Sequence, residues 1–141
     1  MPKKKPRYMD ASLSEAQLVV LGVAAPLLAM NDLPATRFGG YRLGEPSATH
    51  QLAGLSMLPS AAGQKRVEQA LARGVREQPA WTLGRAAAWA SFAYAARAFD
   101  ASLAWGYMLT AARAVQAAHT GWEDFAEAYA TRHWEALKRF G

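Results

Sequence analysis

The chain has 141 residues, of which 52% are hydrophobic, so it is long enough to fold as one domain with a core of its own. It has no cysteine, which excludes disulfides and thiolate chemistry and agrees with a cytoplasmic location, and its three histidines are too widely spaced for a metal-binding motif. The formal net charge of +5 falls largely in residues 3–7, so the rest of the chain is almost neutral and gives little sign of a nucleic-acid-binding surface.

Residues 1–11 carry this basic charge, and Pro2 and Pro6 disfavour a helix there. We interpret them as a flexible tail that precedes a single domain over residues 12–141. Two roles stay open for the tail: it is a solubilising terminus, or it contacts nucleic acid, acidic lipid or an acidic protein.

Residues 18–30 form an apolar run, LVVLGVAAPLLAM, that predicts the first helix of the domain. This run contains Pro26 and is shorter than the roughly 20 residues that a membrane span needs. Asp10 and Glu15 stand between the basic tail and the run, which argues against a cleaved secretory signal. We therefore expect a buried helix that bends or ends near Pro26.

Residues 31–45 are rich in glycine and proline and show no sustained period, so they predict one long loop after the first helix. The loop contains two arginines and two aromatic residues of the types enriched at protein interfaces: Arg37, Phe38, Tyr41 and Arg42. Two interpretations remain open, a partner-binding surface or a loop whose aromatic rings cover the core.

Helical periodicity and capping residues recur through the rest of the chain. They predict helices over residues 47–58, 60–74, 79–99, 100–119 and 120–141. The last of these begins at Thr120 in a capping box with Glu123. No alternating run predicts a pair of strands. The sequence therefore predicts an all-α fold, a compact single-domain bundle of five or six helices.

Arg85 is the most unusual residue in the chain, because it lies one turn after Trp81 on the apolar stripe of a predicted helix. An unpaired buried guanidinium costs several kcal/mol, so Arg85 requires carboxylate or carbonyl partners. Glu123 and Asp124, at the start of the last helix, are the candidates for a structural ion pair with it. The alternative is that Arg85 forms an anion-binding site.

Aromatic residues that are not needed for the core are further candidates for partner binding. Trp81, Phe92 and Phe125, together with Trp122, lie on apolar faces and are expected to point inward. Trp89, Tyr94 and Trp134 remain, and whichever is exposed would join the loop in a protein interface.

Three parts of the chain together form a recognisable pattern: a segment with tryptophan and arginine, a helix of small residues, and a later series rich in aromatic residues. The residues that carry the pattern are Ala80, Trp81, Leu83, Gly84, Arg85, Ala104, Trp105, Trp122, Glu123, Phe125, Tyr129, Arg132 and Trp134. This series resembles the bacterial proteins of the domain of unknown function 1266 family. Thr82 stands where that family usually has aspartate, and Thr131 where it usually has glycine. The resemblance implies a helical fold and a bacterial origin, and it implies no chemistry because the family has no assigned activity.

No nucleophile with its base, metal cluster, phosphate loop or pair of catalytic carboxylates stands out, so we expect no cofactor, no metal site and no enzymatic activity. We expect a bacterial protein–protein interaction module, and more specifically an immunity-type inhibitor that binds and occludes a cognate toxin or effector. The alternatives are a protein that binds nucleic acid or acidic surfaces through its basic tail, or an unrecognised enzyme.

Overall fold

The computed structural model of the protein describes residues 23–24, 43–77 and 79–140, without the side chains at residues 122, 136–137 and 139–140. These residues form five α-helices and no strand: α1 (Pro46–Gly54), α2 (Ser60–Arg76), α3 (Pro79–Ala95), α4 (Ala101–Ala118) and α5 (Trp122–Phe140). The predicted all-α fold is confirmed. None of the helices in the described ranges combines the length and the apolar character needed to cross a membrane.

The first helix and the long loop predicted near the N-terminus lie mostly outside the described residues. Val23 and Ala24 are described, and both are helical and buried, as expected for the first helix. Of the loop, only Leu43, Gly44 and Glu45 are described. The predicted boundary between tail and domain also falls outside the described residues.

Helix α3 is the centre of the fold, because it packs against each of the other four helices. Its sequence, PAWTLGRAAAWASFAYA, is apolar around most of its circumference, which is the pattern of a buried helix. Its alanines and Gly84 leave little bulk between helix axes, so neighbouring helices approach closely. Ser91 is also buried, and its hydroxyl donates a hydrogen bond to the carbonyl of Ala88 at 2.7 Å.

Helix α3 ends at Ala95, earlier than the sequence predicts, because Arg97 adopts a left-handed φ of 63°. The Arg97 N–H donates to the carbonyl of Tyr94 at 2.9 Å, and the Ala98 N–H donates to the carbonyl of Ala93 at 2.8 Å. These two bonds form a Schellman motif, which satisfies carbonyls at the end of the helix and turns the chain toward α4.

The starts of the last two helices agree closely with their capping signals. Asp100 is the N-cap of α4, as predicted, and its Oδ1 accepts a hydrogen bond from the Leu103 N–H at 2.8 Å. Helix α5 begins one residue later than the predicted capping box requires. The first bond of the helix runs from the Phe125 N–H to the carbonyl of Gly121 at 3.1 Å, whereas a helix capped at Thr120 would begin with a bond from the Asp124 N–H to the Thr120 carbonyl.

The core forms where the other helices bury one face against α3. Helix α5 contributes Phe125 and Tyr129, which are 2% and 1% exposed. Phe92 and Phe125 point inward, as the sequence predicts, whereas Trp81 is only half-buried. The side chain of Trp122 is not among those that the structure describes. The half-buried ring of Trp81 borders an open surface on this side of α3.

The close packing around α2 predicts opposite effects for two glycine-to-alanine changes. A Cβ at Gly63 would lie 2.7 Å from the carbonyl oxygen of Met57, whereas a Cβ at Gly106, in α4, would meet nothing within 4 Å. Gly63→Ala should therefore lower the free energy of unfolding by about 1–3 kcal/mol. Gly106→Ala should raise it by about 0.5–1 kcal/mol, because alanine favours a helix. Urea denaturation measures both, and a stabilising Gly63→Ala would contradict this packing.

Candidate functional site

Three large side chains follow one another at four-residue intervals along α3: Trp81, Arg85 and Trp89. This spacing places them on one side of the helix, one turn apart. Trp89 is 7% exposed, and Trp81 and Arg85 are half-buried. Helix α2 borders this side of α3 through residues 66–73, and α5 borders it through residues 124–135.

Two arginines from the bordering helices complete an alternating series of cations and rings. The Cζ atom of Arg85 lies 4.2 Å from the ring centroid of Trp81 and 4.9 Å from that of Trp89. The Cζ of Arg132, in α5, lies 5.0 Å from the Trp81 centroid, and the Cζ of Arg66, in α2, lies 4.8 Å from the Trp89 centroid. We call these five residues the arginine–tryptophan stack.

The arginine–tryptophan stack concentrates positive charge with little compensation from acids. Within the described ranges, no carboxylate oxygen lies within 4.0 Å of Arg66 or Arg85. Arg132 contacts a carboxylate oxygen of α5 at 3.8 Å. Burial lowers the pKa of Arg85, Tyr129 opposes this shift, and the charges of Arg66 and Arg132 add to it. An anionic ligand would offset both the burial and the repulsion between the guanidinium groups.

The ion pair predicted between Arg85 and Glu123 or Asp124 is not present in the structure. Asp124 is held instead by His119, with 2.8 Å between Oδ2 and Nδ1, and its Oδ2 accepts from the Thr120 N–H at 3.3 Å. The bond with His119, and then that with Thr120, lowers the pKa of Asp124. Glu123 is exposed. The face of α5 that meets α3 carries apolar residues, and the two acids lie off that face.

Hydrogen-bond donors without acceptors surround Arg85. The indole nitrogens of Trp81 and Trp89 and the hydroxyl of Tyr129 are buried, and none of them has a hydrogen-bond partner among the described residues. An indole N–H only donates, so the two indoles need acceptor oxygens that the described side chains do not supply. Each buried polar group left unpaired costs about 1–3 kcal/mol. A ligand rich in acceptors is the complement of this site.

Tyr129 packs against α3 beside Arg85. A Cβ at Gly84 would lie 3.0 Å from Cε2 of Tyr129, so the glycine lets the ring approach the helix. Burial raises the pKa of Tyr129 to about 12, and the positive charge of Arg85 opposes this shift. The phenol is therefore neutral at physiological pH, and it does not neutralise Arg85.

Two open depressions border the stack, and Trp81 lines both. The first, which we call the cationic depression, has a volume of about 260 Å³ and is lined by Arg66, Gln69, Ala70, Arg73, Trp81, Thr82, Arg85 and Trp89. The second has a volume of about 480 Å³, lies between α3 and α5, and includes His119, Asp124 and Arg132. In the cationic depression Thr82 supplies a hydroxyl, so no acid from that position competes with a ligand for the arginines.

The structure separates the residues that the sequence singled out for partner binding. Trp89 belongs to the arginine–tryptophan stack, but its ring is buried and not freely exposed as that role assumes. Trp134 is 63% exposed and lines neither of the two depressions. The four loop candidates, Arg37, Phe38, Tyr41 and Arg42, lie outside the described residues.

The sequence does not indicate Arg66 or Arg132 as site residues, and it predicts that Trp81 lies in the core. The regular spacing of Trp81, Arg85 and Trp89 is visible in the sequence and indicates one shared helix side. Arg66 and Arg132 carry no such signal, because they reach the rings from other helices. Among the described residues, no three His, Cys, Asp or Glu side chains come together in a group that would hold a metal ion.

The missing ion pair changes the expected effect of removing Arg85. Arg85→Met keeps a long side chain but deletes the charge, so two cation–π contacts worth about 0.5–2 kcal/mol each are lost. The substitution also removes a partly buried cation that two other arginines repel, and this gain in stability offsets the lost cation–π contacts. We expect the free energy of unfolding to change by less than about 1 kcal/mol in urea denaturation. A loss of more than about 3 kcal/mol would show that a buried carboxylate had been left unpaired.

The raised pKa of Tyr129 predicts a pH-dependent contribution to stability. The folded protein keeps this proton up to about pH 12, whereas an unfolded chain releases it near pH 10, so the contribution is complete below pH 10 and is lost as the pH rises through about 12. Tyr129→Phe removes the titration and an unpaired hydroxyl. The variant should exceed the wild type in stability by about 1 kcal/mol at pH 8, and by more at pH 11. A constant difference between these pH values would contradict the assignment.

Comparison with known proteins places the chain in a family. No curated protein and no solved structure matches it. The model of the family described as Protein of unknown function (DUF1266) matches residues 23–131. This match confirms the resemblance drawn from residues 80–134 and extends it toward the N-terminus. Because the match covers more than half of the chain, the protein belongs to the DUF1266 family.

Proposed function

We propose that this protein is a protein–protein interaction module that binds an acidic segment of its partner at the arginine–tryptophan stack. The observation that carries the proposal is the arrangement of three arginines on two tryptophans, with no carboxylate within 4.0 Å of Arg66 or Arg85 among the described residues. Tryptophan and arginine are also the residue types most enriched at binding hot spots.

The rings give the arginines a second property that supports binding. Guanidinium groups held against Trp81 and Trp89 lose less rotamer freedom when a ligand arrives than free surface arginines would. Partial burial also strengthens their interaction with a carboxylate, because less water competes for it. The stack is therefore organised before the partner binds.

The extent of the surface favours a polypeptide ligand over an isolated small anion. Trp81 and Trp89 are eight residues apart on α3, which corresponds to about 12 Å of helix. An open depression lies to each side of Trp81. Two guanidiniums lie within about 5 Å of each ring, which leaves little ring surface for a nucleobase to stack on.

The sharper form of this proposal is a cytoplasmic bacterial inhibitor of the immunity type, which occludes a cognate toxin or effector by covering an acidic part of its surface. A growth assay tests it. Expression of this protein should protect cells from the toxic product of a neighbouring gene, and the double variant Arg66→Gln/Arg85→Gln should lose that protection.

A peptide probe tests the binding site without knowledge of the partner. A fluorescein-labelled peptide of about ten residues with four glutamates should bind the wild type, and its glutamine counterpart should not. Arg66→Gln/Arg85→Gln should weaken binding by more than about tenfold, or about 1.4 kcal/mol. Fluorescence anisotropy measures the affinity.

The matched control removes two arginine charges that lie outside the arginine–tryptophan stack. Arg76 and Arg113 are exposed and line neither depression. Arg76→Gln/Arg113→Gln should change the affinity for the glutamate peptide by less than about twofold. Equal losses in the two double variants, or equal binding of the glutamate and glutamine peptides, would refute a specific acidic site at the stack.

A further inference from the structure

The cationic depression has a charge that a single carboxylate does not balance. Arg66 and Arg85 both line it, and neither has a carboxylate within 4.0 Å among the described residues. Arg73 also lines it, although its Nε lies 3.4 Å from a carboxylate oxygen of Glu77. Two uncompensated positive charges therefore meet at this depression. A carboxylate would neutralise one of them and leave the other.

The hydrogen-bonding groups of the depression point to the same conclusion. Besides the guanidiniums, its lining includes the Thr82 hydroxyl, the Gln69 amide and the Trp89 indole. Trp89 is 7% exposed, and its Nε1 is buried without a hydrogen-bond partner. A carboxylate has two oxygens, whereas a phosphate monoester has three strongly accepting oxygens and a charge of about −1.5 to −2 at pH 7. Charge and acceptor number both favour the phosphate.

We propose that the cationic depression binds a phosphate monoester dianion, and that the acidic anchor of the partner is therefore a phosphorylated side chain. This inference rests on the proposed function, because it specifies which acidic group of the partner enters the site. The volume of about 260 Å³ accommodates one phosphorylated side chain and is small for a helix. Arg66 and Arg85 neutralise the two charges, and Trp89, which lines the depression, has a buried N–H without a partner among the described residues that is available as a further donor.

The proposal makes binding dependent on phosphorylation and on pH. The second pKa of a phosphate monoester is about 6, so the ligand changes from a dianion to a monoanion between pH 7.5 and pH 5.5. The lining includes no His, Asp or Glu, and its charged groups are Arg66 and Arg73 of α2 and Arg85 of α3. From α5, Arg132 and Tyr129 face Arg85, and His119 and Asp124 line the second depression on the other side of Trp81. Within the cationic depression itself, the ligand is the group expected to titrate in that range.

The experiment compares three labelled peptides that differ at one residue: serine, glutamate and phosphoserine. At pH 7.5 the phosphoserine peptide should bind the wild-type protein at least about tenfold more tightly than the glutamate peptide. At pH 5.5 this ratio should fall to about threefold or less. Free phosphoserine should displace the phosphoserine peptide only at much higher concentration. This competition distinguishes a phosphorylated segment from a small phosphate ester as the ligand. Equal affinity of free phosphoserine and the phosphoserine peptide would overturn the assignment to a partner side chain.

Substitutions test whether the preference for phosphoserine arises at the cationic depression. Arg66 is exposed, so Arg66→Gln tests the site without disturbing the core, and it should reduce the preference for phosphoserine over glutamate to less than about threefold. Trp89→Phe keeps a ring but removes the N–H, and it should weaken phosphoserine binding more than glutamate binding. Arg113→Gln is the control and should preserve the preference. Thermal denaturation followed by circular dichroism verifies that each variant is folded.

The outcomes separate this inference from the proposed function. If the glutamate peptide binds and phosphoserine adds no affinity, or if the preference is unchanged at pH 5.5 or in Arg66→Gln, the phosphate site is overturned while the acidic interface stands. If neither the glutamate nor the phosphoserine peptide binds, both proposals fail.

Discussion

Close packing around α3 is the constraint on which the rest of this structure depends. The other helices all pack on it, and small residues set how near they come. A Cβ at Gly74 would lie only 2.6 Å from Leu83, so α2 and α3 fit together only with glycine at that position. These contacts bury most of the circumference of α3. The side with Trp81, Arg85 and Trp89 is left between α2 and α5, so the helix that organises the core also positions the arginine–tryptophan stack.

The arginine–tryptophan stack departs from the usual rule that buried charges are paired with acids. Cation–π contacts hold Arg66 and Arg85 in place but do not neutralise them, and three buried donors nearby have no hydrogen-bond partner among the described residues. A protein selected for stability alone would favour an acid or an apolar residue here. Local violations of this kind concentrate at functional sites, where a ligand supplies what the fold omits.

Under the proposed function, the same arrangement separates the residues that bind the partner from those that hold the fold together. The rings and the Tyr129 phenol belong to the core or its margin, whereas Arg66 lies on the exposed side of α2. The core fixes where the rings stand, and the rings fix where the arginines stand. A substitution that removes the charge of Arg66 should therefore leave the packing of the core unchanged.

The sequence by itself determined the helices, because periodicity and capping are local: Asp100 caps α4, and the apolar pattern of α3 marks it as buried. It also marked Arg85 as exceptional and left an anion site open. Only the tertiary structure decided which groups meet Arg85. Arg85 meets rings one turn away on its own helix, and arginines from two other helices reach the same rings, where the sequence predicted acids. The rotation of α2 and α5 about their axes decides which of their side chains reach α3. This rotation follows from packing against α3, and no local sequence pattern encodes it.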